Sequence, residues 1–508
     1  MTVIALQRGW ARLQVAERGV LVLVALFALL IPFSTPRIYA TDEVQYYVYL
    51  RSLRFDGDLD FANDYQRFAE LNPKSGIDTS LLQPNRVRSA TGRYGNVAPI
   101  GSAIMWAPFF LLADGLVHVA NALGAHVAAD GFSAPYTYAV CYASALYGLL
   151  GLLLCYRLTR RYASPFGTTL ASVTIWLATP LVFYMFVQMP WSHATGFFLV
   201  ALFLTIWQHT RVPADAALSP QTIRSPRAWI ALGIVGGLMT ITREQLGLFL
   251  IVPAVEALWQ YWTLLHTRRQ HSGSFWRLVA GHGIFLLAVL LAIIPQLATY
   301  YVLNGRPLPA SEVGDKLSWC SPHLLDTLID YDPRPSRWCP LPNDPTAAFP
   351  PFAHGAFIWS PVLAFALLGL LLLWRRDHLL AVVFGLAFAL QTYINGAFGS
   401  TWHLAGAFGF RRLIECTPIF IVGLALLADW AARRLDRRWL LVPALLLVAW
   451  NMGLVLNWTL FNAETHLRAG LSWPDLWRWQ LDVPRKALAK AGQLLFHRCS
   501  LFDNGGCG

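Results

Sequence analysis

The sequence predicts an all-α polytopic membrane protein with about eleven transmembrane helices, and three observations carry that reading. Hydrophobic residues make up 56% of the 508-residue chain and charged residues only 13%, where a soluble domain carries roughly a quarter charged residues. Apolar runs of about 20 residues, the length needed to cross a bilayer core, recur from end to end. The basic residues beside those runs fall in tight clusters, the signature of cytoplasmic helix ends. An outer-membrane barrel is excluded, because its short strands alternate in polarity and never make continuous apolar runs. Topology accounts for the net charge of +11, so the charge argues for no nucleic-acid partner.

The clusters are Arg8/Arg12/Arg18, Arg157/Arg160/Arg161, Arg211/Arg224/Arg227, Arg268/Arg269/Arg277, Arg375/Arg376 and Arg433/Arg434/Arg437/Arg438. Placing all of them inside gives spans near 19–39, 135–156, 166–186, 191–209, 228–242, 246–263, 279–302, 355–373, 379–397, 413–431 and 440–460. Eleven crossings put the N-terminus in the cytoplasm and the C-terminus outside. The first span has the basic start and apolar core of a signal peptide. Ile38 at the third position before a cut after Ala40, together with Pro32, Pro36 and Arg37, argues against cleavage, and Asp42 lies outside in either case. The Gly233, Gly236 and Gly237 cluster reads as close helix packing.

Residues 97–122 are apolar enough to cross, yet a crossing there would carry Arg157/Arg160/Arg161 to the outer face. They also contain Pro99, Pro108, Asp114, His118 and Asn121. They read as interfacial or re-entrant helix within an outer loop of about 41–134. Such a loop is long for a connection, which points to function. The chain thus divides into a membrane domain over 1–460, with outer loops 41–134 and 303–354, and an outer tail over 461–508. Loop 303–354 contains Cys320 and Cys339, and the tail contains Cys499 and Cys507. Four outer cysteines fit an oxidising compartment with up to two disulfides, whose pairing spacing cannot choose.

The candidate chemistry begins at Asp42 and Glu43, just past the first span. Carboxylates at a membrane exit are either a solvated helix start, with Thr41 as cap, or a site acting on what the bilayer delivers. Tyr46, Tyr47, Tyr49 and Leu53 supply the apolar face of a juxtamembrane helix. Asp56, Asp58 and Asp60 begin like a calcium loop, but Phe61 stands where its glycine should be and Arg67 where its last acid should be. Arg243, Arg411 and Arg412 sit at outer ends of spans, against the cytoplasmic preference of arginine. Pairing with Glu244 or Glu415, snorkelling, or anion binding would each explain them. His193, His354 and His403 lie near outer ends too. No His/Cys/Asp set has metal-ligand spacing, and cofactor use stays open.

Asp42-Glu43-Val44-Gln45-Tyr46, with Arg51 and Gly57-Asp58, resembles the GT-C glycosyltransferase superfamily, in its aminoarabinose transferase and protein O-mannosyltransferase-like branch. Pro99-Ile100-Gly101, Thr242-Arg243, His354-Gly355 with Trp359-Ser360-Pro361, and Arg411-Arg412-Leu413 before Pro418 match in the same order. The resemblance implies that Asp42 is the catalytic carboxylate and that Glu43 supports it. Arg243, Arg411 and Arg412 match basic positions expected near a donor phosphate. Relatives with the fuller pattern carry Glu-Lys where this chain has Asn96-Val97, so a second acid and a second cation are not supplied there. The implied enzyme is a multi-pass protein of the bacterial inner membrane. It transfers a sugar from a polyprenyl-phosphate donor to an unknown glycan, lipid or protein acceptor on the extracytoplasmic face, with inversion at the anomeric carbon. The alternatives are a transporter of a solute or lipid-linked glycan, or a polysaccharide ligase. The former needs mid-membrane polar positions, and the latter would centre on loop 303–354.

Overall fold

The computed structural model describes residues 18–212, 222–266, 272–310, 317–329, 339, 354–398, 401–404, 406–461 and 473–496. Among these the architecture is all-α, with one isolated bridge between Val87 and Tyr94. Seven helices are long and apolar enough to cross a membrane: Gly101–Ala122, Ala134–Thr159, Glu244–His266, Gly273–Asn304, His378–Ala397, Arg411–Ala431 and Arg437–Leu460. Six of the eleven expected spans coincide with one of these. The others fall on shorter or broken helices, at Arg18–Phe33, Pro165–Leu177 with Leu181–Phe186, Ser192–Thr210, Pro226–Thr242 and Val362–Arg375. The remaining long helix, Gly101–Ala122, is the segment that the arginine clusters assign to the outer surface. Its length and composition alone would admit a crossing.

The described chain forms two compact units. One joins the segment up to Ser34, Gly148–Val187 and the part from Ser318 onward; the other joins Thr35–Tyr147 and Gln188–Leu317. In the first, here called the C-terminal unit, Val362–Leu370 packs on Arg411–Ala431 through two glycines. A Cβ on Gly369 would fall 2.0 Å from the Gly423 carbonyl oxygen, so neither position admits a larger residue without separating the helices. The 166–186 span breaks at Thr179-Pro180, since proline cannot continue the ladder. The carbonyls exposed by that break, on Leu177 and Thr179, accept from Asn451 Nδ2 at 2.9 and 3.0 Å. Cys320 and Cys339 form a disulfide in this unit. Cys499 and Cys507 lie outside the described residues.

The second, or Asp42, unit folds the segment that follows the first apolar helix around an aromatic core. After Phe33 the chain runs extended to a helix at Thr41–Arg51, followed by a π-helical turn at Ser52–Asp56 that Gly57 ends at φ +76°. The expected juxtamembrane helix with one apolar face is instead enclosed on nearly every side. Val44, Gln45, Tyr47, Val48, Tyr49 and Leu50 are all buried, while Leu53, Arg54 and Asp56 in the following turn are open. The loop itself supplies the cover: Phe61, Tyr65, Phe68, Trp106, Phe110 and Tyr136 wrap the helix. The Tyr47 ring meets Phe68 and Phe110 edge-on at 5.7 and 5.8 Å, a favoured aromatic geometry. Helix Pro226–Thr242 packs on Ser272–Asn304 through the glycine cluster, where a Cβ on Gly233 would sit 2.6 Å from the Phe285 carbonyl oxygen.

The acidic stretch is structural. Asp58 Oδ1 accepts from Ser52 Oγ and from the Asp60 amide, both at 3.0 Å, and Asp60 accepts from the Ala62 amide at 3.2 Å. These are turn-forming bonds of short polar side chains. Asp114, inside Gly101–Ala122, is buried and neutralised by Arg54 at 2.8 Å and by the Tyr136 hydroxyl at 2.7 Å.

Candidate active site

Helix Thr41–Arg51 starts one residue earlier than its sequence suggests. Ala40 is the N-cap, and Thr41 is already helical. Alanine offers no acceptor, so Glu43 does the capping from inside the helix. Its Oε2 reaches back to the amides of Tyr39 and Ala40 at 2.6 and 2.8 Å, satisfying donors a helix start leaves open. Oε1 accepts from the Trp191 indole at 2.9 Å. Glu43 is therefore buried and bound on both oxygens, while Asp42, one residue earlier, points to a half-buried position. Burial pushes the Glu43 carboxyl up from its ordinary value. The two amides, the indole and the Arg37 guanidinium pull it down without cancelling that effect.

Trp191 leads onward. Its ring lies parallel to that of His193, with centroids 6.0 Å apart, and His193 Nδ1 accepts from Arg243 Nη1 at 2.9 Å. An imidazole that accepts from a guanidinium at Nδ1 is neutral, with its proton on Nε2. The neighbouring Ser192 hydroxyl donates to the Tyr46 hydroxyl at 3.0 Å. Arg243 Nη2 also donates to Gln245 Oε1 at 3.1 Å. The guanidinium is thus gripped from two sides. Arg243 itself is extended, at φ −154° and ψ 123°, between the helix ending at Thr242 and the 3-10 turn Glu244–Leu250. Glu244, which the sequence offers as its ion-pair partner, accepts instead from the Tyr300 hydroxyl.

The Pro99-Ile100-Gly101 motif fixes this helix end. A Cβ on Gly101 would lie 2.5 Å from the Ile241 carbonyl and the Thr242 amide, so only glycine allows the two backbones to meet there. Gln296 Oε1 accepts from the Ile100 amide at 2.8 Å. Asn96 donates to the Gln45 carbonyl at 2.8 Å and accepts from the Ala98 amide at 2.9 Å.

Asp42, Glu43 and Arg243 therefore belong to one unit, and Glu43 is tied to Arg243 through Trp191 and His193. Sequence reasoning passed over Trp191 altogether and had His193 only as one of three outer histidines. The signal was the compact Trp191-Ser192-His193 triplet opening a span, which hydropathy does not flag.

Arg411 and Arg412 belong to the C-terminal unit, at the 3-10 start of Arg411–Ala431. Arg412 donates to the Thr401 carbonyl and hydroxyl, both at 3.2 Å, and its guanidinium lies 4.4 Å from the Phe398 ring centre. Arg411 lies within electrostatic range of His354, and so does His403. His354 is buried against Trp359, with ring centres 4.8 Å apart. Burial, then His403 and Arg411, hold its pKa down to about 4 against the Gly409 and Ala407 carbonyls, so it is neutral at pH 7. Gly409, at φ +60°, lets this turn pass Pro180 and Trp359. Among the described residues, no group of three His, Cys, Asp or Glu side chains is placed to hold a metal ion.

No family model and no curated protein matches the sequence. Among solved structures, the chain is similar to ArnT from Cupriavidus metallidurans, a structure with bound undecaprenyl phosphate. The identity is 17%, over 96% of this chain and 74% of that one, with a TM-score of 0.46. It is also similar to the Archaeoglobus fulgidus oligosaccharyltransferase in its apo form. There the identity is 13%, over 93% of this chain and 56% of that one, again with a TM-score of 0.46. This chain spans little more than half the length of the second.

Proposed function

We propose that this chain is an integral-membrane glycosyltransferase of the GT-C type. In this reading it moves a sugar from a donor of the undecaprenyl-phosphate class to an acceptor hydroxyl on the extracytoplasmic face. One observation carries the proposal. Past the exit of the first apolar helix, a half-buried carboxylate stands beside a second one that is locked in place and linked, through Trp191 and His193, to a clamped arginine.

A sugar leaving a polyprenyl phosphate departs as a phosphate monoester, already stable as an anion. Protonation of the leaving group is not required, so one base and one cationic clamp suffice. Asp42 accepts the proton of the acceptor hydroxyl. The acceptor oxygen then bonds to the anomeric carbon as the bond from that carbon to the phosphate oxygen breaks, and the electron pair leaves with the phosphate. Displacement from the opposite face inverts the anomeric centre. Arg243, with its fork fixed by His193 and Gln245, meets the phosphate without first losing side-chain freedom. Glu43 holds the helix start that carries Asp42, and so acts as a positioning residue. Arg411 is proposed as an anion-binding residue of the C-terminal unit, and Arg412 as support for the Thr401 turn.

The deciding measurement is sugar transfer in reconstituted membranes with a panel of polyprenyl-phosphate sugars, comparing wild type with Asp42→Asn. Asparagine keeps the size and removes the base. A loss of at least about a hundredfold is expected, and near-normal transfer would end the proposal.

A further inference from the structure

The geometry points to a site for one anionic phospholipid in the C-terminal unit, independent of the chemistry above. Arg18 of the first described helix meets the starts of two others there: Arg18, Ser164 and Arg437 line one cavity of about 350 Å³. All three come from chain ends that the arginine clusters assign to the cytoplasmic leaflet. The walls are apolar, from Val22, Pro165 and Phe166, and the two arginines are exposed at the edge.

Charge decides what fits. Two carboxylates among the described residues, Asp429 and Asp436, are committed to caps. Asp429 accepts from the Ser164 amide at 2.6 Å and from its hydroxyl. Asp436 accepts from the Arg438 amide at 2.9 Å. Neither Arg18 nor Arg437 has a carboxylate partner among the described residues; Arg437 lies 5.4 Å from the Phe166 ring centre. Behind the wall lies a buried polar group. Gly19 lies against Tyr156, whose buried hydroxyl has no hydrogen-bond partner among the described residues. Two guanidinium groups with no carboxylate partner among the described residues, set over an apolar recess, match a phosphodiester with its acyl chain. A free anion would leave the apolar walls uncovered.

The test uses the full chain in phosphatidylcholine nanodiscs doped with phosphatidylglycerol bearing a photoreactive acyl chain, with labelled peptides mapped by mass spectrometry. Label is expected within residues 18–22 and 164–169. It should fall at least about tenfold in Arg18→Gln/Arg437→Gln and survive in Arg18→Lys/Arg437→Lys. A phosphatidylcholine probe with the same chain should label these peptides weakly. Val22→Trp fills the recess with both arginines intact and should also abolish the label, which keeps the test valid if the glutamine variant misfolds. Equal labelling by phosphatidylcholine, undiminished labelling in Val22→Trp, or displacement of the probe by inorganic phosphate alone would each overturn the assignment.

Discussion

Arg243 in one unit and Arg412 in the other look alike in the sequence, since both stand at an outer helix end where arginine is disfavoured. Their surroundings separate them. Arg412 donates to a backbone carbonyl and a hydroxyl of the same turn, Thr401, and covers an aromatic ring. Arg243 donates to a neutral imidazole and an amide oxygen, and through them joins the buried carboxylate of Glu43. A misplaced arginine is thus read by what accepts its protons. One whose partners close a turn stabilises that turn, and one gripped by an imidazole and a side-chain amide has its fork oriented by them.

The contrast can be broken by experiment. Arg243→Ala should cut donor kcat/KM by roughly a hundredfold, the scale of removing one charged donor from a developing anion. Arg243→Lys should recover little of it, because an ammonium cannot reproduce the fork. Arg412→Ala should instead lower stability by about 1–2 kcal/mol, with donor KM within about twofold. If donor KM responds to Arg412 as strongly as to Arg243, the division is wrong. Between these extremes, Glu43→Gln should lower kcat by about tenfold by loosening the helix start, leaving donor KM little changed. Gly101→Ala, which drives a methyl group into the Ile241–Thr242 backbone, should destabilise the protein by roughly 1–3 kcal/mol.

The smallest expected effect concerns Asp64, buried beside Arg51 at 3.3 Å in the Asp42 unit. Burial raises its pKa from 3.8 to about 7, against the pull of Arg51. A carboxyl raised on folding contributes stability that is complete below its ordinary pKa and is lost as pH rises to the folded value. The Asp64 contribution should therefore fall between pH 3.8 and about 7. A protonated-carboxyl infrared band titrating near the upper value, and missing in Asp64→Asn, would establish the assignment.

Hydropathy and arginine placement were enough to read the helical membrane architecture, because crossing a bilayer demands long apolar runs whose ends are marked by charge. The Asp42-Glu43 pair was legible for the same reason, since acids at a membrane boundary are conspicuous. What the sequence hid were contacts between distant segments. Trp191 reaches Glu43 across 148 positions, and nothing in local periodicity reports that distance. The enclosure of Thr41–Arg51 was hidden too, because aromatic residues from three other segments cover its second face. Local chemistry misled at Thr41, a better cap than Ala40 on propensity, because Glu43 could do the same work from within the first turn.

That reach-back has a consequence for the order of the two acids. Only the longer side chain spans a full turn to the amides behind it, and only the shorter one, placed before it, is left out of that grip. Exchanging them, as Asp42→Glu with Glu43→Asp, preserves charge and composition while depriving the helix of its internal clasp. The two neighbours are therefore not interchangeable, and their order along the chain decides which of them fastens the helix.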